Sequence, residues 1–401
     1  MRILHVISTM APSSGGPTAV MAGLLPAQVH DGLDVVLCTT DRDNPSSKRL
    51  DAASVHGRLA PAIATHVFPA EMPSLLISRA LRAWLRRNID HFDLVHAHGL
   101  YRFPSTYAVR LARRCGVPSV ICPHGSLDPF LYRQSARSVL LKRLWERWFD
   151  LPNLHGASAI HYTTEDERQR AAFLKLRAPS FVVPIGLDWS RYAGLPARGA
   201  FRAKLGIGDS PLVLFLSRLN FKKGLDLLVP AFAQVRARFP DAVLALVGPD
   251  NEGYGAKVRG WVMEHGLQDA VRFVDYIEGE QVLQAYVDAD VFALPSYTEN
   301  FGMVVAESLA CGTPVVISDQ VNIHGEVSGA GAGLITRCDA GEVAEALCTL
   351  LGDAPRRRVM GAAGRALVQR QWTWDVVASQ LTAEYETIIA RHRDARSTRG
   401  T

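Results

Sequence analysis

A chain of 401 residues is longer than one hydrophobic core usually serves, so two domains are expected. With 48% hydrophobic and 21% charged residues and no low-complexity tract, disordered and fibrous classes are excluded, and a net charge of +5 (pI near 8.9) is too mild for nucleic acid but suits an anionic small molecule or membrane surface. Six cysteines, Cys38, Cys115, Cys122, Cys311, Cys338 and Cys348, show no C-x-x-C spacing and mostly sit in apolar runs, which reads as reduced thiols in a cytoplasmic protein.

In chain order, Arg2 to Ser8 predicts a first strand; Met1 to Met10 is too short and too polar for a signal peptide. Gly15 and Gly16 come next in Ser13-Ser14-Gly15-Gly16-Pro17-Thr18, before a helical pattern from Ala19 to Val29. This is not G-x-G-x-x-G; read alone it is a turn, although a glycine pair at a strand end also lets backbone N–H groups approach a phosphate. Strands are predicted at Val35 to Thr39, Leu94 to Ala97, Ser119 to Cys122, Ala159 to Tyr162 and Phe181 to Val183. Helix-length segments separate them, the pattern of a parallel α/β sheet. Asp41-Arg42-Asp43 invites a metal-binding D-x-D reading but is taken as a solvated loop. His96 and His98 alternate on one strand, so both face one side of the sheet, and without a third ligand at metal spacing they are read as cleft lining. His124, in Cys122-Pro123-His124-Gly125, falls at a strand end, with Asp128 as a weaker candidate for an acceptor hydroxyl.

Two stretches, Leu76 to Arg87 and Arg133 to Trp148, interleave arginines with leucine and tryptophan. Each is either an ordinary solvated helix face over a core face or a basic amphipathic helix for an anionic membrane. The segment 186–199 is glycine-rich and aperiodic and reads as the linker. A second series of strands is predicted at Val213 to Leu216, Val243 to Val247, Val271 to Val274, Val291 to Leu294 and Val315 to Ile317, with another near Leu334. Two doubly wound sheets bind ligands at the carboxyl ends of their strands, so a cleft between two such domains is the expected active site.

The informative stretch begins Leu294-Pro295-Ser296-Tyr297-Thr298-Glu299-Asn300-Phe301-Gly302-Met303 and runs on to Asp319. The pattern predicts a strand, a polar loop, a helix from Phe301 to Ala310 capped by Asn300, then a strand. A helix starting at a strand's carboxyl end is a seat for phosphate. Carboxylates flanking it, Glu299 and Glu307, suit sugar hydroxyls. Upstream, Arg218 and Lys223 sit just past another strand end, placed for a diphosphate. Cations, helix start and acids together make a phosphate-and-sugar inventory.

These segments resemble the retaining glycosyltransferases of family 4. The resemblance rests on the Glu pair within Glu299 to Val316 and on R-x4-K-G from Arg218 to Gly224; it is strongest from Ser210 to Asp319. It implies the GT-B fold, two Rossmann-like doubly wound parallel-sheet domains facing across a cleft. Residues 1–188 would form the acceptor-binding domain, 199–375 the nucleotide-sugar domain, and a C-terminal helix at about 376–395 would pack back on the first. By the same resemblance Arg218 and Lys223 would hold the donor diphosphate with the N–H groups of Phe301, Gly302 and Met303. Glu307 would hold the ribose and Glu299 the transferred sugar, while the Gly15-Gly16 loop and His124 would stand near phosphate and reactive sugar. One departure is Ile185, where the family's asparagine before Gly186 is absent.

The function expected is metal-independent, retaining transfer of a hexose from a GDP- or UDP-sugar to a hydroxyl of a glycan or lipid-linked glycan. No cofactor is expected. The enzyme would be cytoplasmic, with Arg79 to Arg87 and Arg133 to Trp148 as candidates for the inner face of the cell membrane. Two alternatives are a hydrolytic nucleotide-sugar 2-epimerase and a non-catalytic nucleotide-sugar-binding assembly protein.

Overall fold

A computed structural model describes the whole chain except residues 13–14, 44–48, 58, 73, 133–142, 251 and 398–401. It divides into two compact units, Met1–Gly186 with Trp374–Thr401, and Leu187–Thr373. Among the described residues no helix is long and apolar enough to cross a membrane.

The first unit carries a seven-stranded parallel sheet: β1 (Arg2–Thr9), β2 (Asp34–Thr40), β3 (Ala64–Phe68), β4 (Leu94–His98), β5 (Ser119–Cys122), β6 (Ala159–Tyr162) and β7 (Ser180–Val182), in the order β3-β2-β1-β4-β5-β6-β7. The second carries six: β8 (Leu212–Leu216), β9 (Val243–Val247), β10 (Val271–Val274), β11 (Val291–Leu294), β12 (Val315–Ser318) and β13 (Gly333–Thr336), in the order β10-β9-β8-β11-β12-β13. Inner strands such as Val243-Leu244-Ala245-Leu246-Val247 are buried residue by residue, as parallel strands covered on both faces must be. The two-Rossmann-like-domain expectation therefore holds. The sequence pattern does not predict β3, an edge strand that is partly exposed along its length and presents little apolar pattern.

In each sheet the order reverses once, between β1 and β4 and between β8 and β11. There the chain leaves in opposite directions and opens a crevice at the strands' carboxyl ends. The candidate residues for the donor come directly after β8 and β11, and those for the glycine loop after β1. The closing helix, Trp374–Ser397, belongs to the first unit and lies along the helix Gly16–His30. The indole of Trp374 occupies the space that a side chain at Gly23 would need.

Candidate active site

In the second unit the loops after β8 and β11 are fastened to each other. The Tyr297 N–H donates to the Lys222 carbonyl (2.8 Å), and the Tyr297 hydroxyl donates to Asp226 (2.8 Å). Gly224 has φ 68°, and a Cβ there would lie 2.0 Å from the Pro295 carbonyl oxygen, so only glycine lets these loops close. Asn220 caps the short turn Phe221–Lys223 by accepting from the Lys222 N–H (2.9 Å). That turn sets Lys223 against Glu299, and the two form an ion pair with 14% and 21% of their side chains exposed. Glu299 is itself fixed through its backbone, donating to Gln320 (3.1 Å) and accepting from Asn322 (3.1 Å). Arg218 is exposed just past β8 and has no partner among the described residues.

The helix after β11 differs from expectation at its start. It runs Met303–Ala310, and its N-cap is Gly302 at φ 77°, ψ 59°, with no side-chain cap from Asn300. Gly302 in this left-handed conformation turns the chain into the helix without a polar cap. Phe301 and Gly302 thus precede the helix, and only Met303 of the three expected phosphate contacts lies within its first turn. The Phe301 ring is buried edge-on against Trp372, 5.3 Å between centroids, which anchors the loop from beneath. Glu307, one turn into the helix, is half-buried and accepts from the Tyr286 hydroxyl (3.0 Å). Burial raises its carboxyl above the usual range, opposed by the Tyr286 hydrogen bond and the Arg191 charge. The structure thus joins Lys223 to Glu299 and gives Glu307 a separate, drier setting. The sequence does not single out Tyr286, because a tyrosine in an amphipathic helix carries no signal of the acid it meets.

In the first unit, Gly15 and Gly16 open the helix Gly16–His30, and among the described residues nothing fills the space where their side chains would stand. His124 comes after β5 with a strained φ of 50°, and the next N–H, Gly125, donates to buried Glu167 (2.5 Å). Glu167 also accepts from the Thr163 N–H (2.8 Å) and hydroxyl (2.9 Å), so it fixes the turn that carries His124. Asp128 caps the Phe130 N–H (2.7 Å) and lies 3.6 Å from Arg170, which commits it structurally.

His96 and His98 do share one face of the sheet, but they are fully buried and line no cleft. His96 Nδ1 is bonded to the Tyr385 hydroxyl (2.6 Å) and His98 Nδ1 to His124 Nε2 (3.1 Å). Desolvation keeps His96 and His98 far below the ordinary imidazole value; with the His161 charge it pushes His124 down to about 3. These rings are neutral at physiological pH.

Asp41 is not a solvated loop acid. It accepts from the Ala70 N–H (2.9 Å) and faces Arg49 (3.4 Å), so its oxygens are occupied in holding the end of β3. In the helix Arg79–Asn88 the arginines at 79, 82, 86 and 87 are exposed, whereas Trp84 packs into the core with His66, Phe68 and Phe92. That tryptophan is a core residue and not a membrane-facing one. Of the second basic stretch, 133–142 lies outside the described residues; from Arg143 onward Leu144, Trp148 and Phe149 are exposed beside Arg143 and Arg147.

Known protein families match the two units separately. The family model described as glycosyl transferases group 1 matches residues 197–367, and that of a glycosyl transferase 4-like domain matches 15–186. A GDP-mannose-dependent alpha-(1-6)-phosphatidylinositol monomannoside mannosyltransferase of Mycolicibacterium smegmatis is 32% identical over 299 residues, 71% of this chain and 74% of that protein. A D-inositol 3-phosphate glycosyltransferase of Nocardia farcinica is 34% identical over 333 residues, 80% of this chain and 72% of that protein. Among solved structures, a sucrose-phosphate synthase of Thermosynechococcus elongatus superposes with a TM-score of 0.76 at 24% identity, covering 98% of this chain and 100% of that one.

Proposed function

Because the chain belongs to the family 4 glycosyltransferases of group 1, we propose that it transfers a hexose, with retention, from a nucleoside diphosphate sugar to a hydroxyl of an inositol-containing or glycolipid acceptor. GDP-mannose is the donor to try first, since it is named in the activity of the M. smegmatis relative, and inositol phosphates and phosphatidylinositol mannosides are the acceptors. The observation that carries this reading is the Lys223–Glu299 ion pair at the β8/β11 switch point, beside the start of the helix Met303–Ala310.

In the unliganded chain each charge neutralises the other. A diphosphate arriving at Lys223, Arg218 and the first helical N–H would compete for the ammonium and turn Glu299 toward the sugar hydroxyls. As the bond from C1 to the diphosphate oxygen breaks, the departing negative charge is held by these cations. The acceptor oxygen then bonds C1 on the same face and its proton passes to a phosphate oxygen. Glu307 holds the ribose. Within the first unit, Gly15 and Gly16 leave backbone accessible and His124 offers a neutral imidazole, groups of the kind that suit phosphate and sugar hydroxyls. Donor turnover with and without acceptor tests the reading: consumption that needs no acceptor would show an epimerase or hydrolase, and no consumption a binder.

The two glutamates should behave differently. Glu299→Gln removes a charge facing the ring where positive charge develops, so it should lower kcat more than it raises donor KM. Glu307→Gln leaves the sugar untouched and should mainly raise KM. Equal kcat losses at unchanged KM would refute the division of roles. Activity should also survive brief EDTA treatment, since two side-chain cations and a helix start already meet the diphosphate charge. An enzyme silenced by EDTA and restored by Mg²⁺ or Mn²⁺ would overturn metal independence.

A lipid-linked acceptor calls for a membrane contact, and residues 143–149 supply one, with Trp148 68% exposed and Leu144 47% exposed beside two arginines. Co-sedimentation with anionic vesicles should be lost in Trp148→Glu and retained in Arg82→Gln. Equal binding by wild type and Trp148→Glu would remove this surface from consideration.

A further inference from the structure

The sequence offers His96 and His98 without a third ligand, but the fold provides one. β1 and β4 are adjacent, and His5 stands directly opposite His96 in the parallel register, with His98 two residues further along the same face. Ring centroids are 4.2 Å apart for His96 and His98, 5.2 Å for His5 and His98 and 5.3 Å for His5 and His96. One nitrogen from each of the three rings lies within 4.8 Å of the others, and all three residues are buried.

The hydrogen bonds sort the nitrogens. His96 uses Nδ1 on the Tyr385 hydroxyl and leaves Nε2 unbonded, while His98 uses Nδ1 on His124 and turns Nε2 toward His5. This is the arrangement of metal-bound histidines, in which an outer partner fixes the ring and the inner nitrogen binds. His98 Nε2 lies 2.9 Å from His5 Nδ1, while His5 Nε2 and His96 Nε2 are buried with no hydrogen-bond partner among the described residues. Gln28 stands beside His5 with one amide N–H on Tyr385 at 3.2 Å and its Oε1 buried without another partner, so it can serve one tautomer of His5, whereas His96 Nε2 has no partner among the described residues. An orphaned nitrogen such as His96 Nε2 in a dry core is destabilising unless something satisfies it.

We infer that His5, His96 and His98 form a structural binding site for a borderline first-row metal ion of the Zn²⁺ type. Three imidazoles and no oxygen ligand argue against Mg²⁺ and Ca²⁺, whereas nitrogen donors suit Zn²⁺, Co²⁺ and Cu²⁺. A tetrahedral ion with metal–nitrogen distances of about 2.0–2.1 Å requires the rings to move together by a fraction of an ångström to about one. The donors are neutral, so a hydroxide or small anion in the fourth position offsets part of the charge. The ion would pin β1 to β4 and, through His96 and Tyr385, to the closing helix Trp374–Ser397, all within the first unit. Through His98 Nδ1 the trio touches His124, but binding of the ion does not depend on the diphosphate chemistry assigned to Lys223 and Glu299.

Because the trio is buried, exchange through the folded protein would be slow. The full chain, with no affinity histidines, is therefore unfolded in guanidinium with EDTA, freed of both, and refolded with or without CoCl₂ or ZnSO₄. The expected result is one equivalent of Co²⁺ per refolded chain with the visible bands of four-coordinate cobalt, displacement by Zn²⁺, and a higher melting temperature than the metal-free refold. His5→Gln and His96→Gln should each weaken Co²⁺ by at least about tenfold, while His161→Gln, outside the trio, should keep it. Wild type that regains its circular dichroism without a stoichiometric ion overturns the site. So does a thiolate-to-cobalt band that persists in His5→Gln, which would place the ion at His98, Cys122 and His124, the neighbouring group of possible ligands.

Discussion

Lys223→Ala is expected to lower donor kcat/KM by about 10- to 150-fold, the equivalent of losing one charged hydrogen bond of about 1.5–3 kcal/mol to the diphosphate. The loss has two parts. The ammonium itself is gone, and Glu299, whose carboxylate it balances, is left to repel the incoming phosphates. The second part is separable. In Lys223→Ala combined with Glu299→Gln, affinity for the nucleoside diphosphate should recover partway although turnover does not, because a neutral amide at position 299 no longer opposes the anion. The chain should still fold, since both residues sit on loops beyond the strand ends and the pair, at 14% and 21% exposed, keeps some contact with water. Arg218→Ala should cost a similar amount without the repulsion, as Arg218 balances no carboxylate among the described residues of the unliganded chain. Calorimetry with GDP and UDP measures all four proteins; wild-type affinity in both single variants would remove these residues from the phosphate site.

The types of residue at this site were legible in the sequence, and their pairing was not. Lys223 and Glu299 are 76 residues apart, and each could be placed only at the end of its own strand. What joins them is the adjacency of β8 and β11, a property of sheet order that local pattern does not encode. The same reason hid the third histidine: His5 and His98 are separated by 93 residues, and the link is a strand register. Aliphatic strands buried on both faces were easy to read because burial leaves continuous Val, Ile and Leu runs. Edge strand β3 escaped because an edge requires less burial. The helix start was misplaced by two residues because Asn300 is a good cap in composition, while the chain used the positive φ of Gly302 instead. Trp84 misled in the opposite direction: its spacing among arginines fits a membrane helix, yet the ring completes a core with Phe68 and Phe92.

Asp290→Ala should destabilise the second unit by about 3–5 kcal/mol, the cost of leaving a buried charge without its partner. Asp290 immediately precedes β11. Its Oδ2 accepts from Arg202 (2.7 Å) and from the Leu212 N–H at the start of β8 (2.8 Å); its Oδ1 accepts from Arg198 (2.7 Å). Arg202 is 5% exposed and Asp290 8%, so water cannot replace the lost carboxylate. Arg202 would keep its bonds to the Asp288, Gly208 and Ser210 carbonyls, which satisfy its donors but not its charge. Burial disfavours the Asp290 carboxylate, but hydrogen bonds from Arg198 and Leu212 and the charges of Arg198 and Arg202 outweigh this and hold its pKa below the ordinary 3.8. A carboxyl depressed in the folded state contributes stability that is present above pH 3.8 and is lost as pH falls through the folded value. The gap between wild type and Asp290→Ala should therefore be full at neutral pH and shrink in acid. The Arg238–Glu345 pair is a control: it is bidentate, but more than half exposed on both sides, so Glu345→Ala should leave the unfolding midpoint unmoved. Urea unfolding followed by tryptophan fluorescence at neutral pH distinguishes the two. Equal midpoints for Asp290→Ala and Glu345→Ala would mean that the buried pair adds nothing beyond a surface one. If the destabilisation is found, donor affinity in the folded fraction at low temperature should still be near normal, because Asp290 works at the opposite end of β8 and β11 from Lys223 and Glu299.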